Sequence, residues 1–227
     1  MDSFKIIEVK KSIFADNNAD ADRLRARLKE QRTYLLNLMS SPGGGKTTTL
    51  RRTIAALKDE LRLGVMEADI DSDVDAAAIT AAGARAIQLH TGGMCHLDAD
   101  MTRQGLTELG VFDGDQSPYD LVFLENVGNL VCPAEFDTGA CRNVMILSVP
   151  EGDDKPLKYP LMFQVSQAVL VNKIDALSLF DFDPERARAR VAQRNPEAAF
   201  FTLSARTGEG FAPWLDWLRS QIKADRG

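Results

Sequence analysis

The stretch Ser40-Ser41-Pro42-Gly43-Gly44-Gly45-Lys46-Thr47 constrains this chain more than any other. The apolar run Tyr34-Leu35-Leu36-Asn37-Leu38-Met39 precedes it and reads as a strand. Residues 46–61 follow, with Leu50, Ile54, Leu57 and Leu61 recurring at helical spacing. A strand that turns through glycines straight into a helix is a phosphate cradle. Backbone N–H groups can curl around phosphate oxygens with no Cβ in the way, and the helix start adds the positive end of its dipole. Gly43, Gly44 and Gly45 supply the loop, Lys46 a cation for β- and γ-phosphate oxygens, and Thr47 a hydroxyl for Mg²⁺, with Thr48 next along the helix. Ser40 stands where the usual G-x-x-x-x-G-K-[ST] pattern has its first glycine, a departure that removes no phosphate ligand.

Further apolar runs at 63–67, 86–90, 121–125, 144–148, 168–172 and 200–203 read as strands. Helices are expected from near Cys95, over 183–194 with Pro184 in the first turn, and over 211–222. Strands separated by helical segments need crossover connections, and continuous apolar runs suit strands buried on both faces. The expected class is α/β: a P-loop NTPase with a doubly wound, mostly parallel sheet and helices on both faces. Residues 31–227 would form this domain. Residues 1–30 would be a peripheral amino-terminal helical segment, with Leu24 and Leu28 on one side of a charged helix over 17–30.

Composition excludes other classes. Lys and Arg number 27 against 33 Asp and Glu, so the net charge of −6 gives no global attraction for nucleic acid or anionic lipid. Aromatics at 7% leave little for a base-stacking surface. No apolar run approaches the roughly 20 residues that span a bilayer, and the first residues lack a signal peptide's apolar stretch. Three cysteines are too few for a disulfide scaffold and fit reduced thiols in the cytoplasm.

Asn172-Lys173-Ile174-Asp175 closes a strand in the N-K-x-D form of guanine-binding loops. A carboxylate at Asp175 can accept from guanine N1–H and the exocyclic amine, groups that adenine does not present, and a site left with unpaired polar groups rejects the wrong base. Asn172 would hold the loop and Lys173 pack along the base. Ser204-Ala205-Arg206 resembles the S-A-K loop that meets the guanine carbonyl through backbone, with Arg206 in place of lysine. Glu125, at the end of the 121–125 strand, can support Mg²⁺, and Gly128 can approach a γ-phosphate. In the acidic loop 67–75, Asp69 and then Asp75 are the candidate metal or water ligands, against the plainer reading of a solvated loop. With Lys46 and Thr47 these carboxylates form the expected catalytic set. No side chain stands out as a strong base, so catalysis would rest on positioning and electrostatics.

Cys95-His96 follows a Gly-rich turn, and Cys132 lies just past the Glu125–Gly128 stretch. Two thiolates and an imidazole suit Zn²⁺ or Ni²⁺, and a helix start at Cys95 would lower its thiol pKa. From spacing alone, structural thiols and a structural histidine remain an open alternative. Cys141 and His90 have no such context.

Together these residues resemble the HypB family of hydrogenase nickel-incorporation GTPases. The resemblance rests on the Ser40–Thr48 loop, Cys95-His96-Leu97, Glu125-Asn126-Val127-Gly128-Asn129-Leu130-Val131-Cys132-Pro133, the S-V-P-E-G-D-D-K-P-L-K-Y-P run at 148–160, and Asn172 to Asp175. It implies Mg-dependent hydrolysis of GTP to GDP, and Ni²⁺ or Zn²⁺ held by Cys95, His96 and Cys132. It also implies a GTP-dependent homodimer, and partners in a hydrogenase large subunit and a nickel-delivering protein such as HypA, with no nucleic acid and no membrane. Ala68 replaces the glycine relatives carry in E-G-D, and Cys141 is outside the pattern. The Cys-rich and His-rich segments of some members have no counterpart here, so a metal store is not expected. The accessory GTPases of urease are similar but use a Cys-Pro-His site. A P-loop kinase is a further alternative, against which Asp175 argues.

Overall fold

Seven strands pair side by side in the order β3-β2-β4-β1-β5-β6-β7. They are β1 (Tyr34–Ser40), β2 (Leu63–Glu67), β3 (Arg85–Gln88), β4 (Leu121–Glu125), β5 (Arg142–Ser148), β6 (Ala168–Asn172) and β7 (Ala199–Thr202), and every pairing is parallel. This computed structural model describes residues 3–68, 79, 82–89, 91 and 93–226; Asp69, Asp75 and His90 lie outside the described residues. The expected doubly wound α/β class is what forms. β1, β2, β4 and β6 are buried along their whole length, as strands covered on both faces must be.

Alternate strand residues feed opposite layers. Leu36 and Leu38 of β1 and Ile146 of β5 meet Leu50, Ile54 and Leu57 of α2 (Lys46–Leu57) and Trp214, Leu218 and Ile222 of α8 (Phe211–Arg226). On the other face, Leu35, Val122 and Leu124 meet Leu24 and Leu28 of α1 (Ser3–Glu30) and Leu106 of α3 (Ala99–Glu108). Met145, Leu147, Val169 and Val171 are covered by Met162 and Phe163 of α6 (Pro160–Gln164), and by Ala187 and Val191 of α7 (Pro184–Ala192). Two other short helices, α4 (Cys132–Glu135) and α5 (Lys155–Lys158), lie at the strand carboxyl ends.

Several boundaries differ from expectation. α1 begins at Ser3, well before residue 17. α2 stops at Leu57, because the next residues turn so that the Arg62 N–H can meet Asp120 Oδ2 at 2.8 Å and start β2. The helix expected from Cys95 begins at Ala99. Asp98 is its N-cap, accepting from the Met101 N–H at 2.8 Å, and an aspartate cap outcompetes a Gly-rich turn as a helix start. Among the described residues no helix is long and apolar enough to cross a membrane.

In this strand order the chain leaves β1 on both sides, toward β4 and toward β5. Such a switch opens a crevice at the carboxyl ends of the strands, where open α/β sheets bind ligands. The loops after β1, β4, β5 and β6 all emerge there.

Candidate functional site

The loop from Ser40 to Lys46 wraps the start of α2, with Gly45 at φ 99° on the helix N-cap. Gly45 is required twice over: its conformation is left-handed, and a Cβ there would overlap the Asn172 side-chain amide. A cavity of about 500 Å³ opens over the loop, lined by Gly43, Gly45, Lys46, Thr47, Thr48, Glu125, Gly128 and Lys173 among others. Lys46 Nζ lies 3.1 Å from Ser40 Oγ, which holds the ammonium over the loop. The Thr47 hydroxyl donates to Glu125 Oε1 at 2.9 Å. A hydroxyl and a carboxylate in contact on one wall of a phosphate-sized cavity are the donor set a hydrated Mg²⁺ takes beside a nucleotide. They fit that ion.

The base-reading residues are locked against the same loop. Asn172 Nδ2 donates to the Gly44 carbonyl at 3.1 Å, and Lys173 Nζ to the Gly43 carbonyl at 2.7 Å. Asn172 Oδ1 accepts from the N–H groups of Lys173 and Ala205 at 2.8 and 3.0 Å, which ties β6 to the Ser204-Ala205-Arg206 turn. Ser204 Oγ donates to Asp175 Oδ1 at 2.6 Å, and Arg206 Nε sits 3.0 Å from Asp175 Oδ2. The serine hydrogen bond holds the Asp175 carboxyl below its ordinary value against the opposing cost of burial, with further help from the arginine. Asp175 is thus an oriented anion whose second oxygen is paired with a solvent-exposed guanidinium.

Two features went unread in the sequence. Glu67 ends β2 in register with Glu125 at the end of β4, and both side chains are buried. The acidic run after Glu67 drew attention to Asp69 and Asp75, whereas the last strand residue itself is the buried carboxylate beside Glu125. The signal was positional: Glu67 and Glu125 each close an apolar run. The second is Glu151. Its Oε2 accepts from the Ser148 N–H and hydroxyl at 2.8 and 2.7 Å, while its Oε1 accepts from Ser41 Oγ, so the segment after β5 is fastened to the phosphate loop. Deeper in, Asn126, just past β4, donates to Asn37 of β1 at 3.1 Å and Asn37 to the half-buried Asn143 of β5 at 2.9 Å, an amide row across the sheet.

Gly128 lies against the loop as well. A Cβ there would come within 3.2 Å of the Pro42 backbone, so a larger residue would press the post-β4 segment and the loop apart by a few tenths of an ångström. From Gly128 the chain runs on to Cys132, the first residue of α4. Cys95, His96 and Cys132 converge, with their ligand atoms all within 4.8 Å of one another. Cys95 Sγ is 2.8 Å from Cys132 Sγ and 4.0 Å from His96 Nδ1. The His96 ring stacks on Phe136, with centroids 3.7 Å apart and planes at 14°. Burial pushes the His96 pKa down against the opposing pull of Asp98 and Glu135, leaving a neutral imidazole. The Cys95 thiol pushes the Cys132 thiol up. Because α3 starts only at Ala99, Cys95 lies in the turn before the helix and not at its start, contrary to the expectation from sequence. Soft sulfur with neutral imidazole suits Ni²⁺ or Zn²⁺, and three protein ligands leave a position open. Cys141 stands apart at the foot of β5, half-buried, its thiol pushed up to about 11 by burial.

A family model described as the CobW/HypB/UreG nucleotide-binding domain matches residues 34–202. The "Hydrogenase maturation factor HypB" of Escherichia coli (strain K12) is 45% identical over 221 residues, which cover 97% of this chain and 74% of that protein. The "Hydrogenase/urease maturation factor HypB" of Helicobacter hepaticus is 41% identical over 217 residues, 96% of this chain and 88% of the relative. Among solved structures, HypB from Helicobacter pylori in complex with nickel superposes with a TM-score of 0.85 at 36% identity, covering 93% of this chain and 97% of that one.

Proposed function

Since the chain belongs to the HypB group of the CobW/HypB/UreG family, we propose that it is a Mg-dependent GTPase whose cycle governs the transfer of nickel to a metalloenzyme under assembly. The observation that carries this reading is the junction at Asn172, which hydrogen-bonds the phosphate loop through Gly44 and the serine turn through Ala205, making one continuous wall for phosphates and base. Lys46 and the loop amides would neutralise phosphate charge. Thr47 and Glu125 would hold Mg²⁺, which supplies charge neutralisation at the phosphates, and Glu67 would shape its water shell. Asp69 and Asp75 remain candidates for the switch. Asp175 would select guanine, with Asn172, Lys173, Ser204, Ala205 and Arg206 framing the base. Water would attack the γ-phosphate to give GDP and phosphate, aided by electrostatic positioning rather than by a strong base.

Nickel, or zinc in its place, is the cargo at Cys95, His96 and Cys132. A three-ligand site suits delivery better than a closed four-ligand site. The names of the relatives point to a hydrogenase as client, with a urease as the alternative; the hydrogenase large subunit would receive the metal. A HypA-like protein would supply the metal in the cytoplasm, and GTP would favour a homodimer, which repeats the cluster across a two-fold axis. Residues 31–227 would carry the GTPase, and residues 1–30 would form a segment attached to it.

The test is phosphate release from GTP and from ATP, with and without Mg²⁺, alongside Ni²⁺ titration of the same protein. Mg-dependent release from GTP alone, with one Ni²⁺ bound per cluster, is expected. Equal turnover of ATP would return the kinase alternative.

A further inference from the structure

The Cys95–His96 turn and the Cys132 helix belong to different parts of the chain, and neither sits on a strand. Something outside the cluster must hold them together when no metal does. The side chain best placed to do so is Asn17, on α1 and 9% exposed. Its Oδ1 accepts from the Ala99 N–H at 3.0 Å, and its Nδ2 donates to the Asp137 carbonyl at 3.0 Å. The amide orientation is fixed by its partners, since the N–H can only donate and the carbonyl can only accept.

Both contacts lie next to the ligands. Ala99 opens α3 just after His96. Asp137 follows Phe136, whose ring is stacked on His96, and Phe136 follows α4, which Cys132 begins. A second tie supports the first: Arg25 of α1 pairs with Asp137 Oδ1 at 2.8 Å, and the same oxygen accepts from the Gly139 N–H at 2.9 Å. One amide thus spans the gap between the two segments that carry the thiols and the imidazole. We propose that Asn17 is a positioning residue for the metal cluster, holding the His96 and Cys132 segments at ligating distance. This rests on the metal-binding reading above. It makes α1 more than a cover for the sheet: through Asn17 the helix touches both halves of the cluster.

An asparagine is required chemically. Aspartate keeps the acceptor for Ala99 but turns a carboxylate on the Asp137 carbonyl, and alanine keeps neither bond. Groups that orient metal ligands typically account for roughly 10–100-fold in metal affinity. The experiment is Ni²⁺ titration, followed by thiolate-to-nickel charge-transfer absorption, of the full chain and of Asn17→Ala and Asn17→Asp, with GDP affinity measured in parallel. Leu28→Ala serves as the control, because it removes buried packing from the same helix without touching either loop. About tenfold weaker Ni²⁺ binding with an altered absorption band is expected in both Asn17 variants, with GDP affinity unchanged and Leu28→Ala normal for Ni²⁺. Asn17→Asp, nearly isosteric, carries the test should Asn17→Ala not fold. Unchanged Ni²⁺ affinity in Asn17→Asp, an equal loss in Leu28→Ala, or a parallel loss of GDP affinity would each overturn the proposal. Cys132→Ala separates the two levels: Ni²⁺ binding that survives it would sink the metal reading itself, whereas its loss beside an unaffected Asn17→Asp would sink only the role of Asn17.

Discussion

The phosphate loop and the Cys–His cluster lie at the two ends of one short segment, Gly128 to Cys132, yet they are held in opposite ways. The loop grows from β1, a strand buried along its whole length, and is pinned on both flanks, by Asn172 and Lys173 on one side and by Glu151 through Ser41 on the other. The cluster has no strand beneath it. Its ligands sit on a turn and a four-residue helix, Cys95 is exposed, and much of its support comes from a helix at the far end of the chain. The rigid end suits a site that must meet phosphate oxygens at fixed distances. The loosely held end suits a site whose ligand geometry changes so that a metal can leave. If the arrangement works this way, damage to the first region should be severe and local, and damage to the second graded and dependent on nucleotide.

The largest expected effect is at Lys46. Lys46→Ala removes the cation aimed at the phosphates, and phosphate release should fall by roughly 10²–10³-fold or to background, a loss of the size seen when one preorganised charge-stabilising donor is deleted. Nickel affinity without nucleotide should not move. Substantial GTP turnover in a folded Lys46→Ala protein would remove the rigid site from the comparison.

Next is base selection. Asp175→Asn exchanges an acceptor for a donor, which suits the C2 carbonyl of xanthine and not the guanine amine. Two hydrogen bonds to a charged group are at stake, each worth about 1.5–3 kcal/mol. GTP affinity should therefore fall roughly 100-fold or more while that for XTP rises. Equal discrimination among GTP, XTP and ATP before and after the change would show that another group reads the base.

The contrast also decides what can be read from sequence. The P-loop, N-K-x-D and the serine turn are contiguous and follow buried strands, so periodicity and local chemistry locate them: β1, β4, β5 and β6 all lie where apolar runs place them. Cys95 and Cys132 are brought together only by the crossing of two loops, which no local pattern encodes, and it took a family resemblance to pair them. Asp98 shows the same limit from the other side. It is a recognisable N-cap, yet the Gly-rich turn drew the helix start to Cys95, four residues early. Glu151 and Asn17 were unreadable because their partners are far along the chain: a serine in the P-loop, and the backbones of Ala99 and Asp137.

A smaller effect tests whether the two ends communicate. Gly128 packs on Pro42, so a γ-phosphate that draws Gly128 inward should pull Cys132 through Asn129, Leu130 and Val131. Ni²⁺ and Zn²⁺ affinities should then differ between GDP and a GTP analogue. Coupling of about 1–3 kcal/mol gives a roughly 5–150-fold difference, and by linkage the metal must shift nucleotide affinity by the same factor. Cys132→Ala should abolish the nucleotide-sensitive binding and Cys141→Ala should preserve it. Identical metal affinities in both nucleotide states would make the two sites independent.

The last effect is one of pH, and here the two sites should part in steepness: a level profile at the base and a rising one at the cluster. Asp175 is held below its ordinary carboxyl value by Ser204, so its contribution is complete above the unfolded value and is lost only as pH falls through the lower folded one. Asp175 should therefore add no pH dependence to GDP affinity from pH 8 to about pH 5. At the cluster, burial keeps His96 neutral, so no imidazolium proton opposes the metal near neutrality. The Cys132 thiol, pushed up by Cys95, is protonated there and must give up its proton to bind. Nickel affinity should rise with pH, by up to ~10-fold per unit for each proton displaced. Replacing His96 with glutamine should lower the affinity and leave the slope unchanged, because the slope belongs to the thiols. Parallel titrations of GDP and Ni²⁺ from pH 6 to 8 would show it. A flat nickel profile would mean that the thiols are already ionised before metal arrives, and that the cluster is as preorganised as the phosphate loop.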